Sequence, residues 1–446
     1  MADSGNRQLD PRMREEWNAR AREDAGHYPA FSRRHQDDAE FFATATDVIN
    51  ELETELRRVK PEERGNWRAL EIGCGPGRLM RPMSRHFVEI HGVDISDEMI
   101  ALAREKLQDL PNAHAHVSDG ASLSEFEDES FDFVYSYAVF QHIPSREVIL
   151  QYLREMQRVL RAGGLARLQF NGLPETQAAA DTWAGARFTS QDLLEFAHMH
   201  DFQVLALDGV STQYMWTTWR KQAPGWSASL EAKMQAGEYP SPVLIRRITN
   251  ASSTEPVAPC RGRFAAISIR VENLPPDAGL NHLRVTVGSS LGTVTCVGAP
   301  DRARWQQINV DLPELEATGL LPVQMFWRER PLSEPATLRV IPPGPSVPRI
   351  LWISDAVNLM SSKRIETRLV KMKLEEIARP HEMEVLVGGH PAGDLEYVCT
   401  EPRPQRFEVN FRLPDEVGPG VHPLELRVGH RKLAAVPIEV VAFENV

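Results

Sequence analysis

Cysteine is scarce in this chain of 446 residues, which contains only Cys74, Cys260, Cys296 and Cys399. No two of them are spaced as the C-x-x-C ligand pair of a zinc site, so we expect no metal centre. Cys74 lies inside a glycine-rich turn, where a small side chain fits, and we interpret it as a packing residue and not as a nucleophile. The other three are expected to be reduced and buried.

A cluster of lysine and arginine is also absent. The chain has 50 basic and 62 acidic residues, a formal net charge of −12 and a pI near 5.7. Because binding to phosphates needs a basic surface, this balance argues against a nucleic-acid partner. No apolar run is long enough to span a bilayer, and residues 1–7 lack the apolar core of a signal peptide. We therefore expect a cytoplasmic protein with no membrane partner.

The chain is long enough for about three domains. Its content of 42% hydrophobic and 25% charged residues is ordinary for a globular protein. After Lys221 the composition changes, because proline and β-branched residues become more frequent and helical periodicity nearly vanishes. We expect an α/β domain over residues 1–222, a linker over 223–242 and two all-β modules over 243–345 and 346–446.

Residues 70–79 read LEIGCGPGRL, and residues 91–94 read HGVD. Together they predict a strand, a glycine turn, a helix and a second strand that ends in Asp94. Glycines at alternate positions allow a ligand to lie against main-chain N–H groups. Asp94 stands where the hydroxyl groups of a ribose need a carboxylate acceptor. The pattern predicts a site for a nucleotide-type cofactor.

Arg78 helps to decide which cofactor that is. A dinucleotide fingerprint that begins at Gly73 requires Gly or Ala at position 78, because a helix packs closely on the strand there. The E-x-G-x-G-x-G arrangement of Glu71, Gly73, Gly75 and Gly77 instead resembles motif I of the class I S-adenosylmethionine (SAM) methyltransferases. The resemblance favours SAM as cofactor, and an NAD-dependent oxidoreductase remains the alternative.

The resemblance extends over residues 12–222. It implies that Asp94 takes the ribose hydroxyls, that the residues after it flank the adenine, and that Asp119 accepts from the adenine amino group. It also implies that the strand at 131–137 ends beneath the methionine part of the cofactor. The cofactor-binding residues implied in this way are Glu71, Gly73, Cys74, Gly75, Gly77, Asp94, Ile95, Met99, Asp119, Gly120 and Ser136.

Local signals for secondary structure agree with an α/β Rossmann-like, doubly wound sheet. Ser96 and Ser145 are suited to cap helices, and apolar residues recur at helical spacing after each of them. Strands and helices alternate over this part of the chain, which is typical of a parallel sheet with ligands at the carboxyl ends of its strands. Pro82 conflicts with a helix after the glycines unless it falls in the first turn.

Methyl transfer from a sulfonium needs mainly alignment and desolvation, so a general base is optional. His142 is the candidate base because it follows the fourth strand at the carboxyl edge and its usual pKa is near neutrality. The alternative is a loop histidine that packs or bonds to the backbone. Residues 1–38 are expected to form a lid with Trp17 and Tyr28 near the sulfonium, or else a surface helix in which Trp17 packs on the domain.

The acceptor is expected to be a small molecule, or a glycan or lipid. Residues 171–187 and the aromatic-rich residues 213–219 could line an apolar acceptor pocket. Residues 213–219 could equally form the two faces of a final antiparallel hairpin, which we favour because a sheet edge needs such residues.

The last 200 or so residues contain an internal repeat. Gly319 corresponds to Gly420 and Asn309 to Asn410, each at an offset of 101 positions (420 − 319). Modules of this size are typical of immunoglobulin-like β-sandwiches, and these resemble the IPT/TIG-like bacterial repeats. Residues 363–377 have a helical pattern and form either an insertion or a strand pair. Such modules bind a protein or glycan partner or act as spacers, and a non-catalytic SAM sensor or scaffold remains a second alternative.

Overall fold

A computed structural model describes residues 11–30, 37–174, 182, 185–237, 242–357, 361–401 and 403–441. The chain divides into two compact units. The first contains residues up to 25, 42–260 and 264–341, and the second contains 26–41, 261–263 and 342 onward. The α/β part and the first strand-rich module therefore form one unit. Among the helices of the described residues, none is long and apolar enough to cross a membrane.

Helices and strands alternate along the first half of the chain. In chain order they are α1 (Pro11–Asp24), α2 (His27–Ala30), α3 (Asp38–Ala43), α4 (Thr46–Leu56), β1 (Arg68–Ile72), α5 (Met80–Met83), β2 (Glu89–Asp94), α6 (Asp97–Lys106), β3 (Ala113–Val117), β4 (Phe131–Ser136), α7 (Arg146–Val159), β5 (Leu160–Phe170), α8 (Ser190–Met199), β6 (Phe202–Asp208), β7 (Met215–Lys221) and α9 (Trp226–Gln235).

The strands of this part form a sheet in the order β3-β2-β1-β4-β5-β7-β6. The first five strands of that order are parallel, and β7 runs antiparallel to both neighbours. The order reverses between β1 and β4, which is the switch point where doubly wound sheets bind ligands. The Rossmann-like sheet expected from the sequence is thus present, and the predicted cofactor residues lie at the ends of β1, β2 and β4 and in the segments after β1, β2 and β3.

The two predicted helix caps are present. The Ser96 hydroxyl accepts a hydrogen bond from the Met99 N–H at 3.1 Å, and Ser145 caps α7 in the same way. Pro82 causes no conflict because α5 is a single turn, and a proline in a first turn loses no helical hydrogen bond. The helix expected after the glycines is a single turn, and it continues as a 3₁₀ turn at Ser84–His86.

The rest of the described chain consists mainly of strands. In chain order they are β8 (Leu244–Asn250), β9 (Val257–Pro259), β10 (Ala266–Glu272), β11 (Leu283–Val287), β12 (Ser290–Val297), β13 (Trp305–Asp311), β14 (Gly319–Trp327), β15 (Arg330–Pro331), β16 (Ala336–Ile341), β17 (Arg349–Asp355), β18 (Arg364–Ile365), β19 (Leu369–Glu375), β20 (Met383–Val387), β21 (His390–Pro391), β22 (Gly393–Glu401), β23 (Arg406–Arg412), β24 (Gly420–Val428), β25 (Arg431–Lys432) and β26 (Val436–Val440).

The two strand-rich modules share one pairing pattern. In the first module β8, β10, β13 and β12 are successive neighbours, and β9, β16, β14 and β11 are another such set. In the second module the sets are β17, β19, β23, β22 and β18, β26, β24, β20. Gly319 and Gly420 begin corresponding strands with φ values of +111° and +137°, a conformation that favours glycine. In the second module, apolar residues of both sheets form one core, which is compatible with a β-sandwich.

Two sequence expectations about these modules need correction or refinement. The segment with a helical pattern contains two strands, β18 and β19, and no helix; the strands do not pair with each other, because β18 pairs with β26 and β19 with β17 and β23. Cys399 is exposed on the edge strand β22, contrary to the expectation that it is buried, because the edge of the sheet leaves one side of that strand uncovered. Cys296 is half-buried and Cys260 is buried.

The segment expected to be a linker contains the ten-residue helix α9. Asp201 accepts hydrogen bonds from the backbone N–H groups of Gly225 and Ser227, both at 2.8 Å. The Trp226 indole donates to Asp277 of the first module at 2.9 Å. A pairing of Cys296 with Ala206 also joins β12 to β6, so this module continues the sheet of the α/β part. These contacts fix residues 223–237 of the segment in place, whereas its composition suggested an open connection.

Asp355 gives a test of the second module, because it is fully buried and its carboxylate accepts from the backbone N–H groups of Val357, Glu366 and Thr367. Asp355→Ala leaves these donors unpaired and should destabilise the module by about 3 kcal/mol. Hydrogen–deuterium exchange in β17 and β19 should accelerate accordingly. Glu366→Ala, which keeps its N–H, is the control. Equal exchange in both variants would contradict this role of Asp355.

Candidate cofactor site

The glycine turn at residues 73–77 follows β1 directly. Gly73 and Gly77 have φ values of +75° and +81°. A Cβ atom on Gly73 would lie 2.2 Å from Val139 Cγ2, and one on Gly77 would lie 2.9 Å from Leu107 Cδ1. Both positions therefore require glycine for conformation and for space. The backbone N–H of Gly73 donates to the carbonyl of Val93 at 2.7 Å, which holds the turn against the end of β2.

Asp94 connects this turn to the helix that follows β2. Its Oδ2 accepts from the Gly75 N–H and its Oδ1 accepts from the Ser96 N–H, each at 2.9 Å. Burial raises the pKa of this carboxyl, and the N–H groups that donate to it act in the opposite direction. The side chain is half-buried, so Asp94 both organises the turn and presents a carboxylate at the sheet edge.

Glu71 is a buried acid at the end of β1. The Tyr135 hydroxyl donates to its Oε2 at 2.8 Å. Burial raises the pKa of Glu71 to about 8, although the Tyr135 hydrogen bond and the positive charge of Arg78 lower it. The Arg78 guanidinium donates to the Thr44 carbonyl at 3.0 Å and lies 5.6 Å from the centre of the Tyr137 ring. A cation placed beside Glu71 would favour its ionised form.

Cys74 and Ser136 use their side chains inside the domain. Cys74 is buried, with its sulfur 3.6 Å from the Gly75 carbonyl oxygen, and burial raises the pKa of the thiol. The Ser136 hydroxyl donates to the carbonyl of Ile72 at 3.0 Å. These contacts agree with the interpretation of Cys74 as a packing residue. They leave the backbone as the part of Cys74 that is suited to contact a ligand.

Asp119 and Gly120 follow β3. Asp119 is exposed, and its Oδ1 accepts from the N–H groups of Ala121 and Ser122 at 2.8 and 2.7 Å. Desolvation raises its pKa, but these hydrogen bonds outweigh that effect and the net shift is downward. The Gly120 N–H donates to the Ser118 hydroxyl at 2.9 Å. Asp119 is therefore ionised at neutral pH and holds its own loop in a turn.

Ile95 and Met99 lie at the start of the α6 segment. Ile95 is half-buried just after Asp94, and Met99 is buried in the first turn of the helix. The structure thus places the predicted cofactor residues at the ends of β1, β2, β3 and β4, which lie side by side in the sheet.

Helix α1 lies across the ends of β2 and β3. The Arg14 guanidinium donates to the Ser118 carbonyl at 2.7 Å and pairs with Asp97 at 3.2 Å. Asn18 accepts from the Ser96 hydroxyl at 2.6 Å. Trp17, on the same helical face, meets the His142 ring edge to face at 5.6 Å. This arrangement fits the expected lid. Tyr28, its other predicted aromatic residue, lies in α2 beside His27 and belongs to the second unit.

His142 is buried in a 3₁₀ turn after β4. Its Nδ1 lies 3.2 Å from the Thr182 carbonyl oxygen, and its Nε2 lies 3.2 Å from the amide nitrogen of Gln141. The Gln169 amide donates in turn to Gln141 Oε1 at 3.0 Å. Both ring nitrogens therefore have partners, which favours the alternative of a histidine that packs and bonds within the loop.

Two aromatic residues of the predicted acceptor region, Trp216 and Trp219, belong to β7. Trp219 is fully buried in the core, as the hairpin interpretation requires. Trp216 stacks on Tyr137 with ring centres 5.5 Å apart, and the Arg167 guanidinium lies 4.9 Å from the Trp216 ring. These planar groups form a wall beside the end of β4. Of the other predicted acceptor segment, residues 175–181, 183 and 184 lie outside the described residues.

Sequence reasoning missed Arg14 and Asn18. Trp17 and Asn18 lie three and four residues after Arg14, so the three share a helical face, a signal that could have identified them. It also missed Tyr135 and Gln169, which act through long-range contacts with Glu71 and Gln141. No local pattern marks such pairs.

Comparison with known proteins assigns this region. Residues 70–168 match the family model described as "Methyltransferase domain". These residues form a methyltransferase domain. The methyl donor of the domain is S-adenosylmethionine. The matched segment contains the glycine turn, Asp94, Asp119 and His142.

Three curated relatives are similar to parts of this chain. Phosphoethanolamine N-methyltransferase 2 of Caenorhabditis elegans is 34% identical over 105 residues, which are 23% of each protein. Phosphatidylethanolamine N-methyltransferase of Cereibacter sphaeroides is 38% identical over 100 residues, 22% of this chain and 47% of that protein. Trans-aconitate 2-methyltransferase of Variovorax paradoxus is 32% identical over 143 residues, 32% of this chain and 48% of that protein. The chain spans about half or less of the length of these relatives.

A solved SAM-dependent methyltransferase from Methanosarcina mazei is 20% identical, with a TM-score of 0.31. The comparison covers 38% of this chain and 97% of that one.

The raised pKa of Glu71 gives a second prediction. Ionisation of the buried carboxyl destabilises the folded state, so stability should fall as the pH rises from 4.5 to about 8. Glu71→Gln cannot ionise, so its stability lacks this pH dependence. The free energy of unfolding of the variant minus that of the wild type should therefore increase by about 1.4 kcal/mol for each pH unit in that window. Urea unfolding at a series of pH values measures the difference.

Tyr135→Phe is the matched variant, because it removes the hydrogen bond that lowers the pKa of Glu71. The window should then extend to higher pH. A difference between wild type and Glu71→Gln that does not change with pH would contradict the assignment.

Proposed function

We propose that this protein transfers the methyl group of SAM to a small-molecule or lipid acceptor by in-line displacement. The observation that carries the proposal is the glycine turn at 73–77, bonded to both the end of β2 and Asp94, at the switch point of the sheet. The relatives named above act, by their names, on small molecules and lipids. The strand modules are proposed to bind a protein or glycan partner or to act as spacers.

The residues of the site fit SAM. The turn offers bare backbone at Gly73 and Gly77, where a Cβ would meet other side chains. Asp94 presents a half-buried carboxylate where a ribose needs an acceptor. Glu71 is a buried acid with a pKa of about 8, so it gains from a ligand that carries an ammonium group. Asp119 is ionised and stands at the end of the neighbouring strand.

When bound, SAM supplies an electrophilic methyl group on a sulfonium. The contribution of the chain is to hold this group in line with the acceptor and to exclude water. Helix α1 covers the ends of β2 and β3 through Arg14 and Asn18, so it is suited to exclude water from the adenosine part. Trp17 and the planar wall of Tyr137 and Trp216 are suited to line the path of the acceptor.

The role of His142 follows from its contacts. Gln141 donates to Nε2 and Nδ1 faces a carbonyl, so the ring has no nitrogen left to accept a proton from an acceptor. We assign His142 as a positioning residue that holds the loop after β4 against Trp17. A dinucleotide cofactor is disfavoured because position 78 carries a buried arginine that contacts Thr44.

The ribose contact is tested with ligand and protein variants together. Wild-type protein should bind S-adenosylhomocysteine about 10- to 100-fold more tightly than its 2′,3′-dideoxy analogue, because each hydroxyl bonds to a carboxylate. Asp94→Ala should bind both ligands with similar, weaker affinity. Calorimetry measures both pairs. If the Asp94→Ala variant still bound S-adenosylhomocysteine more tightly than the dideoxy analogue by the full wild-type ratio, Asp94 would not be the ribose acceptor. This conclusion would hold even if the variant also disturbed the glycine turn.

Catalysis is tested with methyl-labelled SAM and a panel of acceptors that includes phosphoethanolamine, phosphatidylethanolamine and aconitate. Transfer of label to any acceptor supports the proposal. Binding of SAM without transfer across a broad panel would favour a sensor or scaffold. Binding of NADH in place of SAM would favour the oxidoreductase.

His142→Ala should lower kcat by at most about tenfold and should leave the acid limb of the kcat/KM pH profile in place, because the ring is a positioning group. Gln141→Ala, which removes the partner of Nε2, should have an effect of similar size. Loss of an acid limb in His142→Ala alone would instead identify His142 as the general base.

A further inference from the structure

Three potential metal ligands meet where the α/β part joins the first strand-rich module. They are His198 on α8, Glu231 on α9 and His282 in the turn before β11. One ligand atom from each residue lies within 4.8 Å of the others. None of the three belongs to the cofactor site described above.

His282 is unusual because it is fully buried and neither ring nitrogen has a hydrogen-bond partner among the described residues. A buried polar group without a partner costs free energy. The ring is nevertheless held in place: it stacks on Trp327 at 4.8 Å with an angle of 4°, and the Trp226 ring meets it edge to face at 5.9 Å. Its orientation is fixed, yet its polar atoms are unsatisfied within the described chain.

The side chains of His198 and Glu231 lie close to each other and have polar atoms that could bind a metal ion. His198 Nε2 lies 3.1 Å from Glu231 Oε1, and Nδ1 of His198 has no partner among the described residues. The Arg328 guanidinium pairs with the same Glu231 oxygen. A neutral imidazole nitrogen carries a lone pair, and neither nitrogen of His282 has a partner for it among the described residues.

We propose that His198, Glu231 and His282 bind a divalent transition-metal ion, and that this ion is Zn²⁺. Imidazole nitrogen and carboxylate oxygen are ligands that zinc accepts, and three protein ligands leave a fourth position for water. The metal takes the place of Arg328 on the Glu231 carboxylate. It also gives the buried His282 the partner that the described residues do not supply.

The site joins two parts of one compact unit. His198 belongs to the α/β part, His282 belongs to the strand module, and Glu231 lies on the helix between them. Asn281, next to His282, already donates to the Phe202 carbonyl and accepts from the Val204 N–H at 2.9 and 3.1 Å. Metal binding should therefore stabilise the junction, because it favours the folded arrangement of all three elements.

The test uses the full chain after removal of metal with a chelator. Titration with Zn²⁺ should show one site of micromolar or tighter affinity, and Zn²⁺ should raise the melting temperature. Co²⁺ should give the visible absorption bands of a low-symmetry nitrogen and oxygen site. His198→Ala and His282→Ala should each weaken Zn²⁺ binding by about 100-fold or more. His381→Ala, an exposed histidine of the second unit, is the control.

Arg328→Ala supplies a test of opposite sign. Since the guanidinium competes for the Glu231 oxygen, its removal should tighten Zn²⁺ binding. Each variant should still bind S-adenosylhomocysteine, which shows that it folds and separates this proposal from the proposed function. The proposal would be overturned if the wild-type protein bound no Zn²⁺ at micromolar concentration. It would also be overturned if His198→Ala, His282→Ala and His381→Ala bound Zn²⁺ equally well.

Discussion

The cofactor site depends on the close contact between the glycine turn and the end of β2. The Val93 carbonyl accepts from Gly73 and Cys74, and the Asp94 carboxylate accepts from Gly75 and from the start of α6. A Cβ on Gly73 would overlap the Val139 side chain, so the loop after β4 can lie against the turn only because position 73 has no side chain. One turn thereby brings together the ends of β1 and β2, the start of α6 and the loop after β4.

The acidic residues at this edge are each satisfied by a hydrogen-bond donor. Glu71 stays within the core because Tyr135 donates to it and its raised pKa keeps it largely protonated at neutral pH. Asp94 and Asp119 instead receive backbone N–H groups, which make loops rigid while they satisfy the carboxylates. Asp94 and Asp119 therefore have hydrogen-bond donors within the protein for their ionised forms. Glu71 would be ionised more readily if a cationic ligand lay beside it. At the junction with the first module, the ring nitrogens of the buried His282 have no hydrogen-bond partner among the described residues, and the proposed metal ion would supply one.

Much of the site could be predicted from residues that are near one another in sequence. The caps at Ser96 and Ser145 depend on hydrogen bonds within a few residues, and the glycine turn and Asp94 are marked by a short sequence pattern, although the hydrogen bond between Gly75 and Asp94 spans 19 positions. The contact of His142 with Thr182, 40 positions away, could not be predicted in this way. Its ring is engaged by Gln141 and by Thr182, and the second contact exists only because a distant loop folds back. The same holds for Tyr135 beneath Glu71, and for Arg14 and Asn18 over the ends of the strands.

By itself the sequence determined the order of strands and helices in the first half, the cofactor turn and the repeated strand pattern after residue 242, because hydrophobic periodicity and glycine conformation are set locally. Only the tertiary structure decided that the expected linker carries a docked helix and that β12 extends the sheet at β6. It also decided that His198, Glu231 and His282 meet. Those outcomes depend on which surfaces exclude water from one another, and that is a property of the whole packed unit.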